Sequence, residues 1–177
     1  MRLFPMIAAV ALVAAPAAAA LAPGARAPDF TTRGAMDGKV VDVRLAALLK
    51  KGPVVLYFFP AAFTGGCNAE AHAFSEAIPD FSRAGATVVG MSADDIPTLQ
   101  RFSQEKCAGK FTVASAGPRV VAAYGVQLPT KIAGRAITSR TSFVIDSAGK
   151  VVFVHDEMKA DNHVALTLAA VRKLHQS

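Results

Sequence analysis

The chain has only two cysteines, Cys67 and Cys107, and they do not form the C-x-x-C pair that disulfide exchange requires. The residue three positions before Cys67 is Thr64. A clustered basic face is missing too. The formal net charge is +6, yet the only adjacent basic pairs are Lys50-Lys51 and Arg172-Lys173. The sequence therefore argues against a disulfide exchanger and against a nucleic-acid-binding protein.

Internal repeats, blocks of like charge and low-complexity linkers are also missing, so we expect one domain with its own core. The amino terminus has a basic start, Met1-Arg2, followed by an alanine-rich apolar stretch and small residues that offer an A-x-A cleavage site. We therefore predict a signal peptide at residues 1–20, a domain at residues 21–177, and export to the periplasm. A membrane span is the weaker alternative, because Pro16 interrupts the apolar stretch.

The apolar segment at residues 54–59 leads directly into a turn that contains Cys67. The segment is continuous, β-branched and aromatic, and it is flanked by Pro53 and Pro60, which is typical of a strand buried on both faces. Thr64 is a good helix N-cap residue, and a helix capped there makes Cys67 its third helical residue. Free backbone N–H groups at that position stabilise a thiolate, so Cys67 is a candidate nucleophile. The alternative is a structural cysteine, since free cysteines are frequently buried.

Two glycines stand between Thr64 and Cys67. Each destabilises a helix by roughly 1 kcal/mol relative to alanine. Gly65 and Gly66 therefore predict a stretch of backbone that another group approaches closely.

Strand and helix signals alternate along the rest of the chain. Strands are predicted at residues 40–43, 87–92, 111–114, 141–145 and 151–154, the last two forming a hairpin. Helices are predicted at residues 45–51, 64–83, 96–107, 118–124 and 164–174, with Pro79 kinking or ending the second, Asp94 or Asp95 capping the third and Asp161 capping the last. Two β-α-β units followed by a hairpin and a helix describe a mixed sheet with helices on both faces. The predicted fold is an α/β, thioredoxin-like three-layer sandwich.

The sequence around Cys67 resembles that of the peroxiredoxins. Pro60, Thr64 and Cys67 match the P-x-x-x-T-x-x-C motif of that family, and Glu70 matches the acidic residue that often follows. Residues 27–30 resemble its first strand, residues 88–92 its second core strand, and residues 140–146 the segment that carries its active-site arginine. The resemblance covers nearly the whole chain after the signal segment and is strongest to the Q-type, or bacterioferritin comigratory protein-like, branch.

The resemblance implies a thioredoxin-dependent peroxidase that reduces hydrogen peroxide and organic hydroperoxides without a cofactor. The thiolate of Cys67 would attack the peroxide and become a sulfenic acid. The guanidinium of Arg140 would hold the thiolate and polarise the peroxide. The Thr64 hydroxyl would hydrogen-bond with the thiolate or the peroxide, and Pro60 would shield the sulfur from water.

Glu70 lies three residues after Cys67 on the same predicted helix face. A carboxylate that faces a thiolate disfavours it unless an arginine pairs with the carboxylate. We predict that Glu70 orients Arg140 or Arg119, and the alternative is a solvated charge on the helix surface.

The resemblance leaves open how the oxidised cysteine is reduced. His72 stands where many Q-type members carry a resolving cysteine, so Cys107 is the other candidate for resolution. At 1.5 Å per residue, Cys107 lies roughly 15 Å along its helix from the sheet edge that carries Cys67, whereas a disulfide needs Cα atoms within ~7 Å. Either local unfolding brings the two cysteines together, or Cys67 works alone with an outside thiol. We favour the second.

The expected partners are a peroxide substrate and a thioredoxin-like protein or low-molecular-weight thiol as the reductant. We expect a monomer, with no nucleic-acid partner and no membrane association after signal cleavage. An exported copper-delivery protein is the alternative, with Cys67, His72, His155 and His163 as ligands. Such proteins of this fold usually offer two closely spaced cysteines and a histidine, and that spacing is missing here.

Overall fold

The computed structural model describes residues 20–174. The strands are β1 (Thr31–Met36), β2 (Lys39–Arg44), β3 (Val54–Phe58), β4 (Thr87–Ser92), β5 (Thr112–Ser115), β6 (Gln127–Ile132), β7 (Arg135–Thr138), β8 (Thr141–Ile145) and β9 (Val151–Asp156). The helices are α1 (Leu45–Leu49), α2 (Gly65–Arg83), α3 (Ile96–Glu105), α4 (Pro118–Tyr124) and α5 (His163–Lys173). Apart from Ala20, the predicted signal peptide lies outside the described residues. Over residues 20–174, no helix has the length and apolar character needed to cross a membrane.

A seven-stranded mixed sheet, in the order β2-β1-β5-β4-β3-β8-β9, forms the centre of the molecule. Strand β3 pairs in parallel with β4 and antiparallel with β8, and every one of its residues is buried. Because side chains alternate along a strand, Val55 and Tyr57 enter one core, and Leu56 and Phe58 enter the other. The predicted central strand is therefore confirmed as the one buried on both faces.

Helices cover both faces of this sheet. The apolar faces of α2, α3 and α5 pack on one side, with the rings of Tyr57 and Phe74 stacked at 4.2 Å. Helices α1 and α4 pack on the other side, where Tyr124 contacts Phe58 and Phe143. The predicted mixed sheet with helices on both faces is confirmed.

Two predictions near the chain start and end were wrong. Residues 27–30 do not form the first strand. An isolated bridge joins the preceding residue, Arg26, to Lys150, and the first strand begins at Thr31. The last helix follows Asn162, in a left-handed conformation, and not Asp161. Local sequence favoured aspartate as a cap, but the turn before α5 needs a positive φ, which asparagine tolerates well.

Helix α2 is longer than a proline within it would suggest. It runs unbroken through Pro79 to Arg83, so the prediction that this proline ends a first helical segment was wrong. The helix packs against α5 and the sheet along its length, and this tertiary burial offsets the hydrogen bond that proline cannot donate.

Candidate active site

Cys67 lies at the start of α2, directly after the central strand. Gly65, Gly66 and Cys67 are the first three helical residues, and the first helical hydrogen bond runs from the Asn68 N–H to the Thr64 carbonyl at 2.8 Å. The N–H groups of the first turn have no acceptor within the helix, so they and the helix dipole favour negative charge there. The predicted placement of Cys67 is confirmed, and its side chain is 1% exposed.

Thr64 occupies the N-cap position of α2, but its side chain does not cap the helix. The hydroxyl instead donates a hydrogen bond to the Ala61 carbonyl at 3.0 Å, and so closes the turn between β3 and α2. The expectation that the Thr64 side chain caps the helix was therefore wrong. A consequence is that the first-turn N–H groups stay available to a substrate.

Arg140 is the cation of the site. It stands immediately before β8, and its Nη2 donates to the Cys67 Sγ at 3.5 Å. Its Nε donates to the Met158 carbonyl at 2.9 Å, and its Nη1 pairs with the Glu70 carboxylate. Burial disfavours the charged guanidinium, yet Glu70 and Cys67 outweigh this and hold the pKa of Arg140 above its ordinary value. The side chain is therefore fixed on three sides and remains a cation.

The Arg140 guanidinium also accounts for one of the two glycines. A Cβ atom built on Gly66 would lie 3.1 Å from the Arg140 Nη2. A Cβ atom on Gly65 would meet nothing within 4 Å. The predicted close approach is confirmed at Gly66 and finds no partner at Gly65.

Glu70 is buried on the inner face of α2 and is not a solvated surface charge. Its partner is Arg140, whereas Arg119, the other predicted partner, is exposed on α4. Burial raises the pKa of Glu70 to about 7, although the ion pair with Arg140 lowers it. The carboxyl group therefore changes charge near neutral pH while it remains in contact with the arginine.

Pro60 stands two residues after the end of β3 and is buried in the segment of residues 59–64 that joins β3 to α2, here called the cysteine turn. Phe63, within the turn, has a φ of 64° and lies edge-on to Phe102 of α3 at 5.4 Å. A left-handed φ is unfavourable for an aromatic residue, so tertiary contacts must hold the turn in this shape.

Asp94 is a site residue that sequence analysis missed. The sequence left open whether Asp94 or Asp95 caps α3, and the structure assigns the cap to Asp95, which accepts from the Thr98 N–H at 2.9 Å. Asp94 is 4% exposed, and its Oδ2 accepts from the Ala62 N–H in the cysteine turn at 2.7 Å. Its Oδ1 accepts from the Arg135 Nη2 at 2.9 Å. Asp94 thus ties the cysteine turn to the β6-β7 hairpin.

A signal for Asp94 was present in the sequence. The residue follows a buried strand, β4, that lies parallel to β3, so its side chain comes to the same sheet edge as the cysteine turn. The β6-β7 hairpin carried no comparable signal, because β6 is exposed along most of its length and contains a proline.

His163, which sequence analysis named only as a ligand in the copper-delivery alternative, forms with Ser142 a second group that the sequence did not place at this site. The His163 Nδ1 lies 2.8 Å from the Ser142 Oγ and 3.8 Å from the second carboxylate oxygen of Glu70. Both side chains are fully buried. They extend the polar site from Cys67 through Arg140 and Glu70 to the start of α5.

Cys107 lies in a different setting. It follows the end of α3, is fully buried, and donates its N–H to the Phe102 carbonyl at 3.2 Å. Burial raises the pKa of Cys107 to about 12, so the group is a thiol at neutral pH. Both cysteines are free.

The copper-delivery alternative has no support in the structure. Over residues 20–174, no group of three or more histidine, cysteine, aspartate or glutamate side chains could hold a metal ion. Of the four proposed ligands, His72 is exposed on the outer face of α2, whereas Cys67 faces the core.

Comparison with known proteins identifies the family. The profile of the AhpC/TSA family matches residues 23–154. A chloroplastic peroxiredoxin Q from rice, Oryza sativa subsp. japonica, is 34% identical over 153 residues, which are 85% of this chain and 67% of the rice protein. A putative peroxiredoxin from Mycobacterium tuberculosis is 34% identical over 147 residues, or 82% of this chain and 91% of that protein.

Solved structures agree with the sequence relatives. The crystal structure of the peroxidoxin BcpB from Mycobacterium tuberculosis superposes with a TM-score of 0.76 at 33% identity, covering 86% of this chain and 97% of that one. Peroxiredoxin Q from Xanthomonas campestris superposes with a TM-score of 0.69 at 26% identity, covering 82% and 91%. The fold is thioredoxin-like, as predicted. The family profile, the sequence relatives and the solved structures agree, and we conclude that the chain belongs to the AhpC/TSA peroxiredoxin family of thiol-dependent peroxidases.

Proposed function

We propose that Cys67 is the peroxidatic residue of an exported peroxidase that reduces hydrogen peroxide and organic hydroperoxides. The observation that carries the proposal is the hydrogen bond from the Arg140 Nη2 to the Cys67 Sγ, made at the first turn of α2. A fixed guanidinium and free backbone N–H groups at one sulfur favour the thiolate, and they also favour negative charge on an oxygen beside it.

The reaction uses this arrangement in two steps. The Cys67 thiolate attacks one peroxide oxygen, the S–O bond forms, and the O–O bond breaks. The second oxygen leaves as hydroxide or alkoxide and takes up a proton, which gives water or an alcohol. Arg140 and the first-turn N–H groups stabilise the negative charge on the leaving oxygen as it develops. Cys67 is left as a sulfenic acid.

An external thiol completes the cycle. A first thiol forms a disulfide with Cys67 and releases water from the sulfenic acid, and a second thiol breaks that disulfide and restores Cys67. We propose that Cys107 takes no part, because it follows the carboxyl end of α3 with no cation beside it among the causes of its pKa shift, and its raised pKa keeps it protonated. A thioredoxin-like protein or a small thiol is the reductant, in keeping with the thioredoxin-type reductants that peroxiredoxins use.

A relative supports the proposed substrate range, and the amino terminus supports the proposed location. A structural study of the Xanthomonas campestris bacterioferritin comigratory protein concerns alkyl peroxide reduction, and this supports organic hydroperoxides as substrates here. Residues 1–20 have the pattern of a signal peptide, and this supports export to the periplasm, where we propose that the protein acts as a monomer. In that compartment its electrons must come through a donor that is reduced from across the membrane.

The test is peroxide consumption by the Cys67→Ser variant in the presence of dithiothreitol. We expect the activity to fall to the uncatalysed rate, because serine does not ionise to a comparable nucleophile at neutral pH. The matched control is Cys107→Ser, which should retain activity. Turnover at the wild-type rate by Cys67→Ser would contradict the proposal.

A further inference from the structure

The Glu70 carboxylate is hydrogen-bonded on one oxygen only. Its Oε2 pairs with Arg140, whereas its Oε1 is buried and has no hydrogen-bond partner. Leaving a buried carboxylate oxygen without a donor is unfavourable. The His163 Nδ1 lies 3.8 Å from this oxygen.

The hydrogen bonds of His163 determine which of its nitrogens carries the proton. Its Nε2 lies 2.9 Å from the Glu157 carbonyl, which can only accept, so Nε2 must be the donor. In the neutral ring Nδ1 therefore carries a lone pair, and it accepts a hydrogen bond from the Ser142 hydroxyl at 2.8 Å. Burial, together with the nearby His155 and Arg140, lowers the pKa of His163, so the ring is neutral at neutral pH.

The Nδ1 lone pair is occupied by the Ser142 hydroxyl, so no proton lies between Nδ1 and Glu70 Oε1, and the negative end of the imidazole dipole lies 3.8 Å from that oxygen. When Glu70 is ionised, the two acceptors repel each other. The imidazole therefore favours the protonated form of Glu70 by disfavouring the ionised one.

The charge of Glu70 controls how strongly Arg140 acts on Cys67. With Glu70 ionised, the guanidinium is shared between two anions, the carboxylate and the thiolate. With Glu70 neutral, the whole positive charge faces the thiolate and the bound peroxide. We propose that His163 is a positioning residue that acts through Glu70, keeping the carboxyl group in its neutral form so that the charge of Arg140 is directed at Cys67.

The other titratable groups around the pair fit this assignment. Tyr57 of β3 faces the same space, and burial together with Cys107, Glu70 and Cys67 raises its pKa well above the ordinary value, so it stays neutral. His155 of β9 lies edge-on to His163, with ring centroids 4.4 Å apart. The backbone of one loop fixes the geometry, because the successive carbonyls of residues 157 and 158 hold the His163 ring and the Arg140 side chain.

The first test measures the titration of Glu70 directly, and it does not depend on peroxidase activity. Carboxyl NMR of protein labelled at glutamate gives the midpoint, with Glu70→Gln identifying the signal. In His163→Phe a ring of similar size replaces the imidazole but has no lone pair, so we expect the midpoint to fall by about half to one pH unit. His72→Phe, on the exposed face of α2, the helix that carries Glu70, should leave the midpoint of the Glu70 titration unchanged. An unchanged or higher midpoint in His163→Phe would overturn the proposal.

The second test follows the effect to the sulfur. The rate of Cys67 alkylation near neutral pH should fall by about two- to fivefold in His163→Phe, since a shift of that size leaves correspondingly less neutral Glu70. The same substitution in a Glu70→Gln background should have no effect, because the side chain through which His163 acts has lost its charge. An equal loss in both backgrounds would show that His163 is only structural.

A third measurement covers the case in which His163→Phe does not fold. In the wild-type protein, nitrogen NMR of labelled histidine should show His163 as the neutral tautomer with the proton on Nε2 from about pH 7 to about pH 8. A protonated Nδ1 over this range would overturn the proposal. The inference rests on the proposed role of Cys67, but a failure of that role alone would appear as lost peroxide turnover with these NMR and alkylation results intact.

Discussion

The two cysteines of this protein are equally buried, at 1% and 0% exposure, yet they lie in opposite surroundings. Cys67 is at the amino end of the 19-residue helix α2, beside a buried guanidinium. Cys107 follows the carboxyl end of α3, where the helix dipole disfavours negative charge, and is packed among apolar side chains. Burial therefore does not distinguish the proposed peroxidatic cysteine from the other one. The two cysteines differ instead in which end of a helix they occupy and in whether a charged group lies beside the sulfur.

The same contrast extends to the groups around each sulfur. The Cys67 end of the core contains a buried ion pair, a buried histidine and a buried aspartate. Around Cys107 the core is apolar, with Phe102 and Phe111 among its members. A buried polar site costs stability, and that cost depends on pH, whereas an apolar one is insensitive to pH near neutrality.

The largest expected effect is on stability and comes from Glu70. Its pKa is about 7 in the folded protein and 4.5 ordinarily, so folding favours the protonated form. The stabilisation is fully present below the unfolded pKa and is lost as the pH rises through about 7. From about pH 5 to about pH 8 this is on the order of 2 to 3 kcal/mol. Denaturant unfolding of wild type and Glu70→Gln over this range should show a loss in wild type that the variant lacks, and parallel pH profiles would contradict the assignment.

The next largest effect is expected on the rate of peroxide reduction when Arg140 is substituted. Arg140→Lys keeps the positive charge but loses the planar group that contacts Cys67, Glu70 and the Met158 carbonyl together. We expect peroxide reduction to slow by roughly tenfold or more. Stopped-flow measurement of Cys67 oxidation gives the rate directly. Arg119→Lys, at the exposed arginine of α4, is the matched control and should behave as wild type. A wild-type rate for Arg140→Lys would remove Arg140 from the mechanism.

A smaller effect is expected from substitution of Asp94, which links the cysteine turn to the β6-β7 hairpin. Asp94→Ala leaves the Ala62 N–H and the Arg135 side chain without their buried acceptor, at a cost of about 1 to 3 kcal/mol in stability. The looser turn should slow peroxide reduction by roughly threefold to tenfold, since misplacement of the reacting group lowers the rate. Asp95→Ala removes a helix cap, costing about 1 kcal/mol, and should leave the rate unchanged. Equal rates of peroxide reduction in Asp94→Ala and Asp95→Ala would show that the Asp94 hydrogen bonds are not needed for the reaction.

The smallest effect is expected at Cys107. Cys107→Ser should change the dithiothreitol-dependent rate by less than about twofold, because the thiol takes no part in the proposed cycle. A buried hydroxyl can lower stability, so Cys107→Ala serves as the companion variant. Loss of thioredoxin-dependent recycling in both variants, with the first oxidation intact, would instead identify Cys107 as the resolving residue.

Much of this contrast could be predicted from the sequence, because it depends on local patterns. The apolar run of β3 and the residues that follow it placed Cys67 at a helix start. Strand β4 was predicted with its observed bounds, as was α4, which ends at Gly125 in a left-handed conformation. These elements form where hydrophobic pattern and turn chemistry agree.

The rest depends on contacts between distant parts of the chain. Pattern analysis assigned Asp94 a possible local cap, but the structure turns it inward to the Ala62 N–H, a contact that only the parallel pairing of β3 and β4 creates. His163 lies 93 residues from Glu70 in the chain, and no spacing in the sequence links them. The β6-β7 hairpin was missed because β6 is exposed along most of its length and neither strand has an apolar alternation.

The difference between the two cysteines is tested most directly by mass spectrometry after treatment with one equivalent of hydrogen peroxide and a sulfenic acid trap. The account predicts one trapped oxidation on the peptide that contains Cys67, with the Cys107 thiol unmodified. A rapid loss of two hydrogens, from a bond between Cys67 and Cys107, would contradict it and would identify the end of α3 as a segment that opens during turnover.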